Sequence, residues 1–193
     1  MMEFLTRLKN IGKLYYSISD LIKVTGLARD SLYVALSRYV KKKVIIRLTA
    51  GIYILPEQYD RLETIANELY SPSYLSFESA LSRYGIISQV PYSLTFATTR
   101  KSLRRSLAET HVEYRSIKAQ LFTGYENNGS IFIATPEKAI LDSLYLVSFG
   151  KSMTQLKNPG LKEVNIQKMK KLARIYPKRT QELMYRFLKN FNA

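Results

Sequence analysis

Two helical patterns that lie only a few residues apart constrain the fold of this 193-residue chain most strongly. In "YYSISDLIKVTG", Ser17 or Ser19 can cap a short helix that carries an apolar face and ends at Gly26. A second, longer helix begins within four residues of that glycine. The spacing predicts two helices joined by a tight turn.

Two β-rich runs follow the second helix directly. "VIIRLTAGIYIL" gives strands over Val44–Leu48 and Ile52–Leu55, joined at Thr49-Ala50-Gly51, and Pro56 ends the second strand. In front of the two helices, "MEFLTRLKNIG" has the apolar spacing of an amphipathic helix. This order of elements predicts a winged helix-turn-helix domain over residues 1–56.

The second helix has two distinct faces when its residues are placed at 100° intervals. Leu32, Ala35, Leu36, Tyr39 and Val40 fall on one side and are expected to be buried. The opposite side is polar without being solidly charged, as a helix that enters a DNA groove requires. It carries Asp30, Tyr33, Val34, Ser37, Arg38 and Lys41.

Specific roles in DNA binding follow from these positions. The candidates for contact with base edges are Arg29, Asp30, Ser31, Tyr33 and Ser37. The candidates for contact with phosphates or the adjacent backbone are Arg38, Lys41 and Lys42 on the helix, and Arg47 and Thr49 on the hairpin. A simpler interpretation of the lysines stays open, because cations stabilise any helix C-terminus by about 0.3–1 kcal/mol. Tyr33 is equally compatible with a packing role.

The net charge favours a polyanionic partner. Lys and Arg number 30 against 15 Asp and Glu, which gives a formal charge of +15. Residues 1–60 carry +5 of this charge, residues 61–150 carry +1, and residues 151–193 carry +9. The basic tail is expected to contact DNA or an acidic protein, or to be merely solvated. Its natural cluster is Lys168, Lys170, Lys171 and Arg174.

Composition also limits the chemistry that this chain can perform. It has no cysteine, and its single histidine is His111, so neither thiolate nor multi-histidine metal sites are available. We therefore expect no metal, no cofactor and no catalytic residues. No run of about 18 apolar residues and no signal-like segment is apparent, so we expect a cytoplasmic protein without membrane contact.

The second part of the chain predicts a separate domain that contains both helices and strands. The expected fold class is therefore α+β. Residues 57–72 predict a linking helix, and residues 73–193 an α/β domain with a helical basic tail. Ser73 is expected to cap a helix that closes at Gly85. Three β-like runs follow: "YSLTFAT", "HVEYRSI" and "GSIFIAT".

A clear helix start and two terminal helices complete this domain. Thr135 as the N-cap, with Pro136 and Glu137 in the first turn, predicts a largely apolar helix. Two final helices are expected over Asn165–Tyr176 and Lys178–Phe191.

A metal-dependent nuclease is an alternative of a different class. Glu113, Glu137, Lys138 and Asp142 supply the carboxylates and the lysine that such an enzyme uses. However, Glu137 is explained by its place in the first helical turn. Glu137 and Asp142 are five residues apart and project about 140° from each other on a helix, so the spacing argues against a shared site.

The sequence also resembles a known family. "YYSISDLIKVTGLARDSLYVALSRYVKKKVIIRLTAGIYIL" is similar to the N-terminal winged domain of the AbiEi family, the antitoxin and repressor of type IV toxin-antitoxin systems. "SYLSFESALSRYGII", "TFATTRKS" and "QLFTGYENNGSIFIATPEKAILDSLYL" resemble its C-terminal domain. The resemblance runs from about Tyr15 to Leu146. Ala28 departs from it, because a serine cap is expected there, unless Asp30 or Ser31 takes over that role.

The resemblance implies a repressor of its own operon that binds inverted repeats in the promoter DNA. It also implies a functional partner, a nucleotidyltransferase-like toxin that the C-terminal domain opposes without a stable complex. Binding as a homodimer and binding as cooperative monomers both stay open. The competing hypothesis is a one-component transcriptional regulator whose second domain senses a small ligand, since ligand pockets leave no short motif.

Overall fold

The computed structural model describes residues 2–151, 160, 162 and 164–189, and it divides the chain into two compact units. The first unit comprises residues 1–66 and 106–110, and the second comprises residues 67–105 and 111–193. The mixed α+β class is confirmed. These units differ in two respects from the predicted ranges 1–56, 57–72 and 73–193. The segment 56–61 is a 3₁₀ turn and not part of a linking helix. Residues 106–110, at the tip of a hairpin later in the chain, belong to the first unit.

The first unit consists of three helices and a small antiparallel sheet. Its elements are α1 (Met2–Ile11), β1 (Tyr16–Ser17), α2 (Ile18–Thr25), α3 (Arg29–Lys41), β2 (Ile46–Thr49) and β3 (Ile52–Ile54). The strand order is β1-β3-β2, and both strand pairs are antiparallel. Gly51, between β2 and β3, has a φ of 74°, which explains the glycine at this turn. Helix α4 (Leu62–Leu69) then crosses the division between the units.

Helix α2 is fixed at both ends by its own sequence. The Ser17 hydroxyl accepts the Asp20 N–H, and the Asp20 carboxylate accepts the Ser17 N–H, which forms a capping box. Gly26 ends the helix with a φ of 68°. Burial alone raises the pKa of Asp20, but hydrogen bonds from Lys13 and Ser17 outweigh it and lower this pKa to about 2.

One apolar core unites the three helices and the strands of the first unit. Leu32 and Leu36 of α3 are buried against residues of α1, α2 and β3. Phe4 of α1 stacks on Tyr39 of α3 with ring centroids 4.5 Å apart. The Tyr16 hydroxyl donates to the Leu8 carbonyl over 2.9 Å. The predicted inner face of α3 is therefore confirmed, with Leu32 and Leu36 at its centre.

The second unit is built on a six-stranded mixed sheet. Its strands are β4 (Ser73–Leu75), β5 (Ser93–Thr98), β6 (Leu103–Leu107), β7 (Thr110–Ser116), β8 (Tyr125–Asn127) and β9 (Phe132–Ala134). The strand order is β6-β7-β5-β4-β9-β8. The β4–β5 and β8–β9 pairs are antiparallel, whereas β4–β9 and β5–β7 are parallel. The tip of the β6–β7 hairpin belongs to the first unit, where Ala108 N–H donates to the Leu48 carbonyl.

Helix α6 (Pro136–Ser148) occupies the centre of the second unit. Thr135 caps it through the Lys138 N–H, so the predicted start is confirmed. Every residue from Glu137 to Leu146 is buried, because α5 (Phe77–Arg83), α7 (Ile166–Ala173) and α8 (Lys178–Lys189) all pack against this helix. Within the described residues, no helix is both long and apolar enough to cross a membrane.

Two expectations about elements of this unit need correction. Ser73 does not cap a helix; it begins the buried strand β4, and α5 starts four residues later. The helix predicted over Asn165–Tyr176 is shorter, because α7 spans Ile166–Ala173, whereas the terminal helix predicted from Lys178 is confirmed as far as Lys189. The last two residues of the predicted terminal helix lie outside the described residues.

Candidate nucleic-acid interface

The outer face of α3 is exposed to solvent. Tyr33 and Val34 are 44% and 55% exposed, so this face also offers apolar surface. The other exposed positions of this helix are Arg29, Asp30, Ser31, Ser37, Arg38 and Lys41. All residues predicted to contact base edges therefore lie on the surface of this helix.

A shallow depression brings part of this face together with the hairpin. Its volume is about 220 Å³, and its lining includes Tyr33 and Ser37 of α3 and Arg47 of β2. Arg47 lies opposite Tyr53 in the β2–β3 pair, which fixes its position beside the helix. Arg29, Asp30 and Ser31 lie outside the depression, at the helix N-terminus, and Thr49 is half-buried at the end of β2.

Two groups of cations in the first unit differ in their pairing. On the side of α1, Arg7 pairs with Glu3 at 2.6 Å and Lys9 pairs with Glu57 at 2.9 Å. Lys13 pairs with Asp20. In the described part of the chain, no ion pair involves the basic residues of α3, its following loop and β2. These residues are Arg29, Arg38, Lys41, Lys42, Lys43 and Arg47, which we call the unpaired cation face.

The N-terminus of α3 lacks a capping side chain. Ala28 is the N-cap residue and makes no side-chain hydrogen bond to the helix. The side chains of Asp30 and Ser31 form no hydrogen bond within the described residues, so neither replaces the missing serine. The first N–H groups of α3 are therefore open to an external acceptor, and a phosphate oxygen is one acceptor of that kind.

Lys43 was not among the predicted contacts, but its backbone distinguishes it. Its φ is 55°, in the left-handed region that favours glycine, immediately after the end of α3. Its N–H donates to the Val40 carbonyl over 2.9 Å, which closes the helix. A lysine here costs conformational energy that a glycine would avoid. The run of three lysines in the sequence contained no signal of this conformation.

The predicted basic cluster of the tail is only partly available. Lys170, Lys171 and Arg174 are exposed on α7 or at its end, whereas Lys168 lies 3.5 Å from a carboxylate oxygen of Glu137. Helices α7 and α8 and the segment between them also contain buried side chains, namely Met169, Tyr176, Met184 and Phe187. The described part of the tail is therefore an integral part of the second unit.

Sequence reasoning missed a buried polar cluster around α6. Asp142 accepts hydrogen bonds from Tyr74, Ser76, Tyr176 and Lys138, at 2.8 Å from each tyrosine and 2.9 Å from the serine. Lys138 also donates to the Tyr176 hydroxyl. Burial, together with the Asp142 carboxylate, raises the pKa of Tyr74 and Tyr176 well above the usual value. The i,i+4 spacing of Lys138 and Asp142 was the available signal, but it also describes a surface pair.

The carboxylates considered for a nuclease are held separately. Glu113 pairs with Arg104 at 3.0 Å and with Arg115 at 3.1 Å. Glu137 is buried and accepts the Asn165 N–H over 2.9 Å. Burial alone raises the pKa of Glu137, but this and other hydrogen bonds and the charge of Lys168 keep it below its usual value. Within the described residues, no three His, Asp or Glu side chains gather into a potential metal site.

Comparison with known proteins adds no identification. No protein-family model matches this chain, and no curated protein matches it.

Proposed function

We propose that the first unit is a winged helix-turn-helix domain and that the protein is a sequence-specific DNA-binding repressor. The unpaired cation face carries this proposal. The acidic residues Glu3, Asp20 and Glu57 neutralise cations near α1, whereas the cations of α3 and β2 stay uncompensated at the surface. Uncompensated charge of this kind attracts the phosphate backbone of DNA.

The proposed contacts divide by chemistry. Arg38, Lys41, Lys42 and Arg47 neutralise phosphates and thereby set the position of α3 in the major groove. Lys43 joins them because its strained backbone places a cation where a glycine would be more stable. Base edges are read by the exposed side chains at the N-terminal and central turns of α3. These are Arg29, Asp30, Ser31, Tyr33 and Ser37. Thr49, at the end of β2, contacts the DNA backbone together with Arg47 of the same hairpin.

Beyond DNA binding, we propose that the protein is the antitoxin of a type IV toxin-antitoxin system and represses its own operon. This step rests on the resemblance of residues 15–146 to the AbiEi family. The second unit then opposes a nucleotidyltransferase-like toxin without forming a stable complex with it. An adjoining nucleotidyltransferase gene would support this assignment. A metabolic operon would instead favour the one-component regulator.

The structure also bears on the choice between a binding protein and a nuclease. Asp142 and Lys138 have no exposed side-chain surface, and Glu113 is engaged by two arginines. A carboxylate nuclease needs acidic groups that converge on a substrate-accessible position. This separation supports a protein that binds DNA and does not cleave it.

The test compares two duplexes in an electrophoretic or fluorescence titration with the full chain. One duplex is the DNA upstream of the protein's own gene, and the other has the same composition in scrambled order. We expect tighter binding to the upstream duplex at about 150 mM salt, by roughly a thousandfold or more. Equal affinity for the two duplexes would refute sequence-specific repression, and unchanged DNA after incubation with Mg²⁺ is expected of a non-nuclease.

A further inference from the structure

The second unit contains a cavity of about 420 Å³ beside its edge strand β6. Basic and hydroxyl side chains dominate its polar lining: Arg104, Arg115, Lys151, Ser102 and Ser116, with Glu113 as the one carboxylate. The lining therefore has a formal charge of +2. This volume falls within the range of about 300–1,000 Å³ that is typical of small-molecule sites.

The carboxylate of Glu113 is already saturated by neighbouring guanidinium groups. One of its oxygens lies 3.0 Å from Arg104 Nε, and the other accepts from Nε and Nη2 of Arg115. Nη1 of Arg115 donates to Glu78 over 2.7 Å, so this arginine has no unused nitrogen. Arg115 consequently holds Glu113 in place and is the more strongly engaged of the two arginines.

Several donors in the same cavity have no partner. Arg104 uses only Nε, so both of its Nη groups are unengaged, and its side chain is 84% exposed. Within the described residues, the Lys151 ammonium and the Ser116 hydroxyl make no hydrogen bond, and the Ser102 hydroxyl serves only as acceptor for the Ser116 N–H. The cavity therefore offers a guanidinium fork, an ammonium and two hydroxyls as donors, without an available carboxylate acceptor.

This donor set matches a tetrahedral oxyanion better than a carboxylate. A guanidinium fork binds two phosphate oxygens, and the lysine and serine side chains of the same lining are further donors for such an anion. Leu103 and Leu146 add apolar surface next to these donors, so the cavity can contact more of a ligand than its anionic group. We propose that this cavity is a binding site for a small phosphate monoester, with Arg104 and Lys151 as its principal anion-binding residues.

This proposal does not depend on DNA binding, because none of the cavity residues belongs to the proposed DNA interface. Its test uses the full chain without DNA. Isothermal titration calorimetry at constant ionic strength measures the affinity for ribose 5-phosphate, inorganic phosphate, ribose and citrate. We expect saturable one-to-one binding of ribose 5-phosphate that is tighter than the binding of the other three. Absence of binding at about 10 mM ribose 5-phosphate, equal affinity for inorganic phosphate, or tighter binding of citrate would each overturn the assignment.

Three variants and a matched control test the residues. Arg104→Gln and Lys151→Gln should each weaken ribose 5-phosphate binding by roughly tenfold or more. Glu113→Gln should strengthen ribose 5-phosphate binding, because the change releases Arg104 Nε and raises the charge of the lining. If Glu113 served only to support the structure, the same change would weaken this binding. Lys118→Gln removes an equal charge from an exposed site outside the lining and should change nothing. Equal weakening in Lys118→Gln would show unspecific charge attraction and overturn the proposal.

Discussion

Lysines on two helices of this chain have opposite environments. Lys41, at the end of α3, and Lys42 and Lys43, which follow it, are exposed and have no acidic partner among the described residues. Lys138 on α6 is completely buried and bonded to Asp142 and Tyr176. A buried charge requires compensation within the fold, whereas an exposed and uncompensated charge is available to a partner. The contrast separates charge that supports the structure from charge that we assign to binding.

The largest effect is expected from removing the acceptor of the buried cluster. Asp142→Ala leaves the Lys138 ammonium buried without its counter-ion and three hydroxyls without their acceptor. We expect a loss of about 3–5 kcal/mol in the free energy of unfolding, measured by chemical denaturation. Asp60→Ala removes an exposed carboxylate and should change this free energy by less than about 0.5 kcal/mol. A similar small loss in Asp142→Ala would mean that the cluster does not stabilise the second unit.

The second-largest effect is expected on DNA affinity, from removing two lysines of the unpaired cation face. If Lys41 and Lys42 contact phosphates, the double change to glutamine should weaken binding to both duplexes by roughly fivefold per lysine at about 0.15 M salt. The slope of log affinity against log salt should become flatter by about 1.8. Lys9→Gln with Lys13→Gln removes the same charge from paired positions. An equal loss of slope in this control would contradict the distinction between paired and unpaired cations.

Local signals explain why much of the first unit was predictable. The buried positions of α3 repeat with helical periodicity, and Ser17, Gly26 and Gly51 each have a specific backbone role. The start of α6 at Thr135 was equally clear, because a cap hydroxyl and a proline occupy the required positions. Such features depend on neighbouring residues only, so a single sequence contains the information.

The missed features depend on residues that are distant in sequence. Strand β4 is only three residues long, and its neighbours β5 and β9 come from later parts of the chain. Asp142 gains its buried role from Tyr74 and Tyr176, which lie 68 and 34 residues away. The β6 run "LRRSL" resembles a solvated loop because its arginines hide the alternation of a strand. None of these partners can be identified from local periodicity.

Replacement of Lys43 by glycine is expected to raise the stability of the protein and to lower its affinity for DNA. Replacement by glycine removes the side chain from a left-handed position, which should stabilise the first unit by about 1 kcal/mol. If Lys43 contacts a phosphate, the same change should weaken DNA binding by roughly fivefold. Thermal unfolding and the duplex titration measure the two quantities on one preparation. Greater stability with unchanged affinity would remove Lys43 from the proposed interface.

The smallest effect is expected where a cation is exposed and already paired. Lys9 and Glu57 are 2.9 Å apart, and both side chains are more than half exposed, so solvent screens their attraction. Lys9→Gln alone should change the free energy of unfolding by less than about 0.5 kcal/mol and leave the salt slope unaltered. A hydrogen bond from its own backbone, followed by Lys9, lowers the pKa of Glu57. NMR titration of the variant should therefore show this pKa rising only part of the way to its usual value. A flatter salt slope in Lys9→Gln would place this side of the unit on DNA as well, and the unpaired cation face would no longer define the interface by itself.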